Sequence, residues 1–366
     1  MLKNALKLLE EINSVGYRAY IVGGFVRDYI LGIDSNDIDV TTNATPKELK
    51  EIFGDDCFVS EDYGSVTINK KGIRYQITTF RKEIGYIDNR RPAEIKYIDD
   101  LYQDLLRRDF TINTICMNGD GEIIDYLGGQ DDLKHKIIRT VGNASERFEE
   151  DALRILRAVR FATVLGFDLD PEVVEAIGKN KCLLKKLSYY RKKEELDKIF
   201  VSARAKEGID LLLKLGLDKS LELENLDKVK ATNSLIGIWS VLNVTDNYPF
   251  TSNEKELITS VNEVLKLNNL DPVALYKYGL YVNSVAGEIK GLDIKNISEA
   301  YNSLVIKSRK DLDITSEDIM NILDKEPGSY LSDIYNDLER AVLYHKISNQ
   351  KGILLDYVKE HYQGIC

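Results

Sequence analysis

Gly23-Gly24-Phe25-Val26-Arg27-Asp28, followed a short hydrophobic turn later by Asp37-Ile38-Asp39, decides how this chain is read. Arg18 to Val22 has the character of a strand, the paired glycines form the turn leaving it, and Phe25 to Leu31 starts a helix. A glycine turn running into a helix N-terminus offers backbone N–H groups and a positive dipole end, and Arg27 adds a fixed cation, so a phosphate fits there. Asp37 and Asp39 stand two residues apart, and a strand over 37–41 projects both carboxylates from one face. Two hard oxygen donors side by side suit Mg²⁺, which bridges triphosphate oxygens and neutralises departing pyrophosphate in nucleotidyl transfer. Gly23, Gly24 and Arg27 are therefore candidates for nucleotide binding, and Asp37 and Asp39 for metal binding and catalysis.

The 366 residues are 43% hydrophobic and 30% charged, which describes a multidomain globular protein and excludes a disordered one. Leu2, Ala5, Leu6, Leu9 and Ile12 recur among Lys3, Lys7, Glu10 and Glu11, an amphipathic helix rather than a signal peptide, and no run is long enough to span a membrane. Cys57, Cys116, Cys182 and Cys366 show no CxxC spacing, and His135, His345 and His361 form no ligand cluster. This argues against structural zinc or disulfides and for a reducing cytoplasm. A net charge of −10 opposes phosphate binding in general. Lys179, Lys181, Lys185, Lys186, Arg191, Lys192 and Lys193 nevertheless gather between Ala176 and Lys193 with Tyr189 and Tyr190 and no acid. That stretch is either a basic nucleic-acid face or a solvated helix surface flanked by Glu194, Glu195 and Asp197.

Up to about residue 140, strand-like and helical stretches alternate, with further strands at Ser65 to Asn69 and Tyr75 to Phe80. Residues 81–92 read as a polar, mobile loop. Beyond Phe148 the pattern is helical, with breaks at 166–171, 246–249 and 324–328. The fold class is multidomain α+β: an N-terminal domain with one mixed β-sheet and helices, then an all-α remainder.

Leu106-Arg107-Arg108-Asp109-Phe110-Thr111-Ile112-Asn113-Thr114 packs cations, a carboxylate, a hydroxyl and an amide into one short run. Arg108 can pair with phosphate oxygens in a bidentate way, while Asp109 and Asn113, one turn apart if helical, hold ribose hydroxyls or brace the site. The plain alternative is a capped helix with a surface ion pair. Asp125-Tyr126-Leu127-Gly128-Gly129 is a hinge or a tight turn. Farther on, three-residue steps from Asp151 through Arg154 and Arg157 to Arg160 predict a charged stripe drifting around one helix, with Ala152, Ile155, Leu156, Val159 and Ala162 on the apolar side. A carboxylate and a guanidinium on adjacent turns can read a base edge: the first accepts from the exocyclic amine of C or A, the second donates to ring acceptors, and G and U present the wrong groups.

These motifs carry a resemblance. GGxVRDxxLGxxxxDxD resembles the head-domain signature of the nucleotidyltransferase superfamily that includes tRNA CCA-adding enzymes and bacterial poly(A) polymerases. Residues 107–114 resemble the RRDFTINA motif, with a departure at Thr114-Ile115-Cys116. Glu150, Asp151 and Arg154 match the EDxxR protein template of class II CCA-adding enzymes, and Ser188 to Leu196 resembles the neck motif SxERxxxEL with Tyr190 in place of Glu. The resemblance implies template-independent addition of C, C and A to the tRNA 3′ end from CTP and ATP, with Mg²⁺ as cofactor. It also places Arg157 and Arg160 at nucleotide-binding positions. By the same comparison Asp88, Arg90 and Arg91 belong to a flexible loop that re-aims the selecting side chains from C to A. It further implies a head over 1–140, a neck over 141–205, a body over 206–275 and a tail over 276–366. Body and tail would bind the acceptor stem and elbow of tRNA. No membrane association and no obligate protein partner are expected. An A-adding or CC-adding enzyme or a poly(A) polymerase shares this fold, and from another class a non-catalytic RNA-binding protein remains open.

Overall fold

The computed structural model describes residues 1–35, 37–54, 57–60, 64–70, 72–87 and 91–363. They divide into two compact units, Met1–Glu224 and Asn225–Cys366. In the first, helix α1 (Leu2–Ser14) buries Ala5, Leu8, Leu9 and Ile12, the stripe its period dictates. Then come β1 (Ala19–Val22), α2 (Gly24–Leu31), β2 (Ile38–Thr42), α3 (Pro46–Phe53), β3 (Cys57–Ser60), β4 (Ser65–Lys70), β5 (Ile73–Thr79), β6 (Arg81–Ile87), β7 (Arg91–Tyr97), α4 (Leu101–Leu106), β8 (Cys116–Met117) and β9 (Ile123–Ile124). Seven strands form one sheet in the order β3-β4-β5-β2-β1-β8-β9. It is mixed, because β2 runs parallel to β5 and antiparallel to β1. Val22 and Cys116 of the sheet join Phe80, Leu101 and Leu105 in one core cluster.

Two sequence expectations are corrected, and a third, left open between two readings, is narrowed. Residues 81–92 are not a loop at both ends: β6 and β7 make an antiparallel hairpin in which Arg81 faces Tyr97 and Ile84 faces Glu94. The charges misled, because Glu83 is largely covered and pairs with Arg81 and Arg107 rather than with water. Asp88 and Arg90 lie outside the described residues, and Arg91 is described only as the backbone that starts β7. Second, the stripe from Asp151 to Arg160 is not on one helix. Helix α5 (Gly129–His135) and the short strand β10 (Ile137–Ile138) lead to α6 (Ala144–Glu150), and the chain extends at Asp151 (φ −142°, ψ 101°) before α7 (Leu153–Leu165) begins. Asp151 Oδ1 accepts from the Leu153 N–H at 3.0 Å, the N-capping habit of Asp that competes with helix continuation. Third, the basic stretch is split between α8 (Pro171–Asn180), which follows β11 (Asp168–Leu169), a 3-10 segment and α9 (Tyr189–Phe200). Its charges therefore share no single helix face. Lys179, Arg191 and Lys193 pair with Glu175, Glu194 and Asp197, and Lys192 is only 1% exposed, its Nζ 4.4 Å from the Tyr189 ring centroid.

Asp125-Tyr126-Leu127-Gly128-Gly129 is a turn that caps α5: the Asp125 carboxylate accepts from the N–H groups of Leu127, Gly129 and Gln130. A Cβ at Gly129 would lie 2.3 Å from the Thr111 carbonyl oxygen, so only glycine fits this approach. Helices α10 (Ala205–Lys214) and α11 (Asp218–Leu221) complete the unit.

The second unit is helical: α12 (Leu235–Leu242), α13 (Ser252–Val264), α14 (Pro272–Ile289), α15 (Ile294–Asn302), α16 (Ser316–Leu323), α17 (Tyr330–Leu343) and α18 (Lys351–Tyr362). Ile319, Ile334, Leu338, Val342, Leu354 and Val358 belong to one core cluster, and Val261, Val264, Val282, Val285 and Ala286 to another. The expected 275/276 boundary falls inside α14, which kinks at Gly279 (φ 72°), where the Asn283 amide donates to the carbonyls of Ala274 and Gly279. No helix of the described residues is long and apolar enough to cross a membrane.

Candidate active site

Strand register builds the site. Because β1 and β2 are antiparallel with Val22 opposite Asp39, the end of β1 that turns at Gly23 lies beside the start of β2 that carries the carboxylates. Gly23 sits at φ 77° and ψ −132°, where a side chain is strained, and its carbonyl accepts from Arg27 N–H to open α2. A cleft of about 1020 Å³ forms there. Every metal and nucleotide candidate lines it: Gly23, Gly24, Arg27, Asp37 and Asp39 from the first motif, Arg108, Asp109 and Asn113 from the second, and Asp151, Arg154, Arg157 and Arg160 from the third.

A chain of hydrogen bonds joins them. Arg27 Nε donates to Asp28 at 2.8 Å and its NH1 to Asn113 Oδ1 at 2.9 Å; Asn113 Nδ2 donates to Asp109 Oδ1 at 3.0 Å; Arg157 Nε donates to Asp109 Oδ2 at 2.7 Å. Asp109 and Asn113 thus act as braces here. They do not lie within one α-helix, since Asp109 precedes a 3-10 turn over Thr111–Asn113. Burial alone would push the Asp109 carboxyl up, but Arg157 and the amide of Asn113 hold it well below the usual carboxylate range. Burial likewise disfavours the Arg157 charge, and Asp109 with Glu195 outweighs it, so its pKa rises.

Beneath the cleft Asp104, fully buried, ties the parts together. Its Oδ1 accepts from Arg81 N–H at 3.1 Å and Arg107 Nε at 2.9 Å, its Oδ2 from Thr41 Oγ1 at 3.2 Å and Arg108 NH2 at 3.3 Å. One carboxylate therefore joins β2, β6 and the second motif. Burial opposes the Arg108 charge, yet Asp104, Cys116 and Asp39 more than offset it and raise its pKa, while its Nε has no hydrogen-bond partner. Asp151 and Arg154 are both constrained. Arg154 is 6% exposed, and its guanidinium donates to Glu150 Oε2 at 2.7 Å and to the carbonyls of Arg147 and Arg107. Asp151 lines the cleft from the extended link between α6 and α7.

The donor set fits a divalent cation. Asp39 is open to solvent at the cleft floor, but the surrounding protein removes enough hydration to raise its carboxyl pKa, Arg108 pulls it down, and Asp37 pushes it up again. A cation between the two carboxylates relieves both costs. Two carboxylates leave the remaining positions of a hard divalent ion to water and phosphate oxygens.

Residues 19–139 match the Poly A polymerase head domain, 166–225 the probable RNA and SrmB-binding site of polymerase A, and 243–358 a putative tRNA nucleotidyltransferase domain 2. The CCA-adding enzyme of Bacillus subtilis (strain 168) is 34% identical, covering 97% of each chain, and that of Ligilactobacillus salivarius (strain UCC118) is 34% identical, covering 98% of this chain and 96% of its own. This chain belongs to the CCA-adding enzyme family. The structure of the Bacillus stearothermophilus CCA-adding enzyme in complex with CTP superimposes with a TM-score of 0.85 at 28% identity, over 98% of this chain and 96% of that one. A Thermotoga maritima CCA-adding enzyme complexed with tRNA shares the fold, with a TM-score of 0.71 at 21% identity over 98% of this chain and 94% of that one.

Within this family member, sequence reasoning passed over Asp104 and Phe161 and named Arg191 only in the basic stretch. Phe161 and Arg191 line the cleft. Arg191 was visible in the neck motif, whereas Asp104 and Phe161 look like an ordinary helix acid and an ordinary core aromatic in sequence.

Proposed function

We propose that this protein extends the 3′ end of tRNA by C, C and A, using CTP and ATP without a nucleic-acid template and releasing pyrophosphate at each step. The observation that carries the reading is the convergence of Asp37 and Asp39, Arg108 and the pair Asp151 and Arg154 on one cleft. Asp37 and Asp39 would hold Mg²⁺, which when bound supplies neutralising charge to the triphosphate and activates the attacking hydroxyl. Arg27 and Arg108 with the Gly23-Gly24 turn hold the triphosphate in line with the RNA terminus. Asp109 and Asn113 fix Arg157 and Arg27 against rotation, so the cations meet the phosphates without reorganising. Asp151 accepts from the exocyclic amine of C or A, and Arg154, its plane set by Glu150 and two main-chain carbonyls, donates to the ring acceptors.

The division into head, neck, body and tail belongs to the same proposal, with the helical second unit contacting the acceptor stem and elbow of tRNA by shape and phosphates. A reducing cytoplasm fits Cys57, Cys116 and Cys182, which are free thiols. The test uses three transcripts, a tRNA lacking CCA, one lacking only A, and an RNA unrelated to tRNA, each with CTP, ATP or both. Completion of CCA on the first two alone supports the reading. Extension of only the CC-ending transcript points to an A-adding enzyme, extension of the unrelated RNA by A to a poly(A) polymerase, and no incorporation to an RNA-binding protein.

A further inference from the structure

Three cationic side chains of the cleft surround one aromatic ring. The guanidinium carbon of Arg160 lies 4.2 Å from the Phe161 ring centroid, that of Arg27 5.2 Å and that of Arg157 5.4 Å. These arginines come from distant parts of the chain, Arg27 from α2 and the other two from α7, and Phe161 is where they meet. The ring is itself held. It is 8% exposed and packs edge-to-face on Phe110 of the second motif, with centroids 5.7 Å apart and planes at 78°.

Three like charges at such range repel one another. Burial first, then Arg157 and, farther down, Arg27, bring the Arg160 pKa down to about 10. Carboxylates do not fully answer this. Asp28 and Asp109 hold Arg27 and Arg157 through well-formed hydrogen bonds, but Arg160 approaches Glu195 at 3.1 Å with both its Nε and the Glu195 Oε2 lacking hydrogen-bond geometry. Arg160, the least satisfied of the three, is the one closest to the ring. An aromatic face carries negative quadrupole density that attracts a guanidinium without neutralising it, whereas a tighter carboxylate would cancel the charge a phosphate needs.

We infer that Phe161 is a positioning residue that gathers Arg27, Arg157 and Arg160 into one polyanion clamp, holding them close enough to grip a nucleoside triphosphate while leaving them charged. This rests on the nucleotide-binding reading of the cleft. The ring touches no reacting atom. Its contribution is made before the nucleotide arrives, by offsetting the mutual repulsion of the arginines, and so belongs to nucleotide affinity rather than to turnover or base choice.

The experiment grades the ring's electrostatics at constant shape. Phe161 is replaced by 4-fluoro-, 3,4,5-trifluoro- and pentafluorophenylalanine through nonsense suppression, alongside Phe161→Tyr and Phe161→Leu. KM and kcat for CTP and ATP are measured on tRNA transcripts lacking CCA or A. Expected is a KM for both nucleotides that rises stepwise with fluorination, to about tenfold at pentafluorophenylalanine, with kcat and the preference for CTP over UTP retained and near wild-type values for Phe161→Tyr. Thermal unfolding verifies that each variant is folded, and if Phe161→Leu is not, the fluorinated series decides. A pentafluoro variant with wild-type KM overturns the inference while leaving the nucleotide reading intact. A wild-type protein that neither binds nor incorporates CTP overturns the reading itself.

Discussion

Exchanging Asp104 for asparagine keeps the shape of the side chain and removes its charge. The wild-type carboxylate is fully buried and accepts from Arg81 N–H, Arg107, Arg108 and Thr41. In Asp104→Asn the amide NH₂ replaces one oxygen, so two donors face a donor, and Arg107 and Arg108, whose side chains are 15% and 17% exposed, lose their shared counter-charge. Breaking a buried ion pair from one side costs ~3–5 kcal/mol. Arg107 retains Glu83 at 3.2 Å, which puts the loss at the lower end, ~3 kcal/mol, a large share of the 5–15 kcal/mol that typically holds a domain together. The loss should be local as well as global, because the carboxylate joins β2, β6 and the second motif. Amide hydrogen exchange followed by mass spectrometry should show faster exchange in peptides spanning Ile38–Thr42 and Arg81–Ile87, with urea unfolding followed by circular dichroism giving the overall cost. The KM for CTP should rise because Arg108 loses its orienting partner. Wild-type exchange in both strands together with wild-type urea stability would show that Asp104 is not the tie described here.

Asp37→Asn and Asp39→Asn should each nearly abolish nucleotide incorporation while tRNA affinity, read by filter binding, stays roughly intact; wild-type incorporation by either removes the metal site. Asp151→Ala should weaken discrimination against UTP and GTP by ~1–3 kcal/mol, and because it also removes the cap on Leu153 N–H, Asp151→Asn, which keeps that cap, should show the same loss in misincorporation assays; selectivity preserved in both makes the pair structural. Deleting residues 84 to 92, which takes the outer part of the hairpin, should leave addition of the two C residues and stop before A, and completion of CCA by the deleted enzyme would end its role as a switch. Asp109 has a depressed folded-state pKa, so its stabilising effect is present above the unfolded-state pKa and is lost as pH falls through the folded one. The stability gap between wild type and Asp109→Asn in denaturant titrations should therefore narrow in acid, and a gap independent of pH would contradict the Asp109–Arg157 assignment.

The parts of the site legible in the sequence are those set by local rules. A glycine turn before a helix, two aspartates at strand spacing and a dense arginine motif each state their chemistry within a few residues, and strand register then places them together. The hairpin over 81–97 was hidden because its charged residues answer one another across the fold, Glu83 to Arg107, so its polarity resembles that of a solvated loop. The break at Asp151 was hidden because a three-residue charge period is compatible with one helix or two, and only the capping bond to Leu153 decides. Asp104 and Phe161 were illegible for a different reason: their roles are defined by how many distant groups converge on them, and convergence leaves no spacing to read.

Part of the grip of α6 and α7 on the second motif passes through main-chain oxygens. Arg147 donates to the carbonyl of Arg108 and Arg154 to that of Arg107. Any residue at 107 or 108 would present the same oxygens, so no compensating exchange of side chains is called for on the receiving side when either donor changes. A link of this kind leaves no co-varying pair behind it. Comparisons among relatives would report the two segments as evolving independently at these positions, although Arg147 and Arg154 fix the posture of the second motif's backbone. The two segments are mechanically joined there where sequence statistics are blind, and a designer who replaces α6 and α7 would inherit or lose this part of the joint according to those two donors, beside the side-chain links from Arg157 to Asp109 and from Phe161 to Phe110.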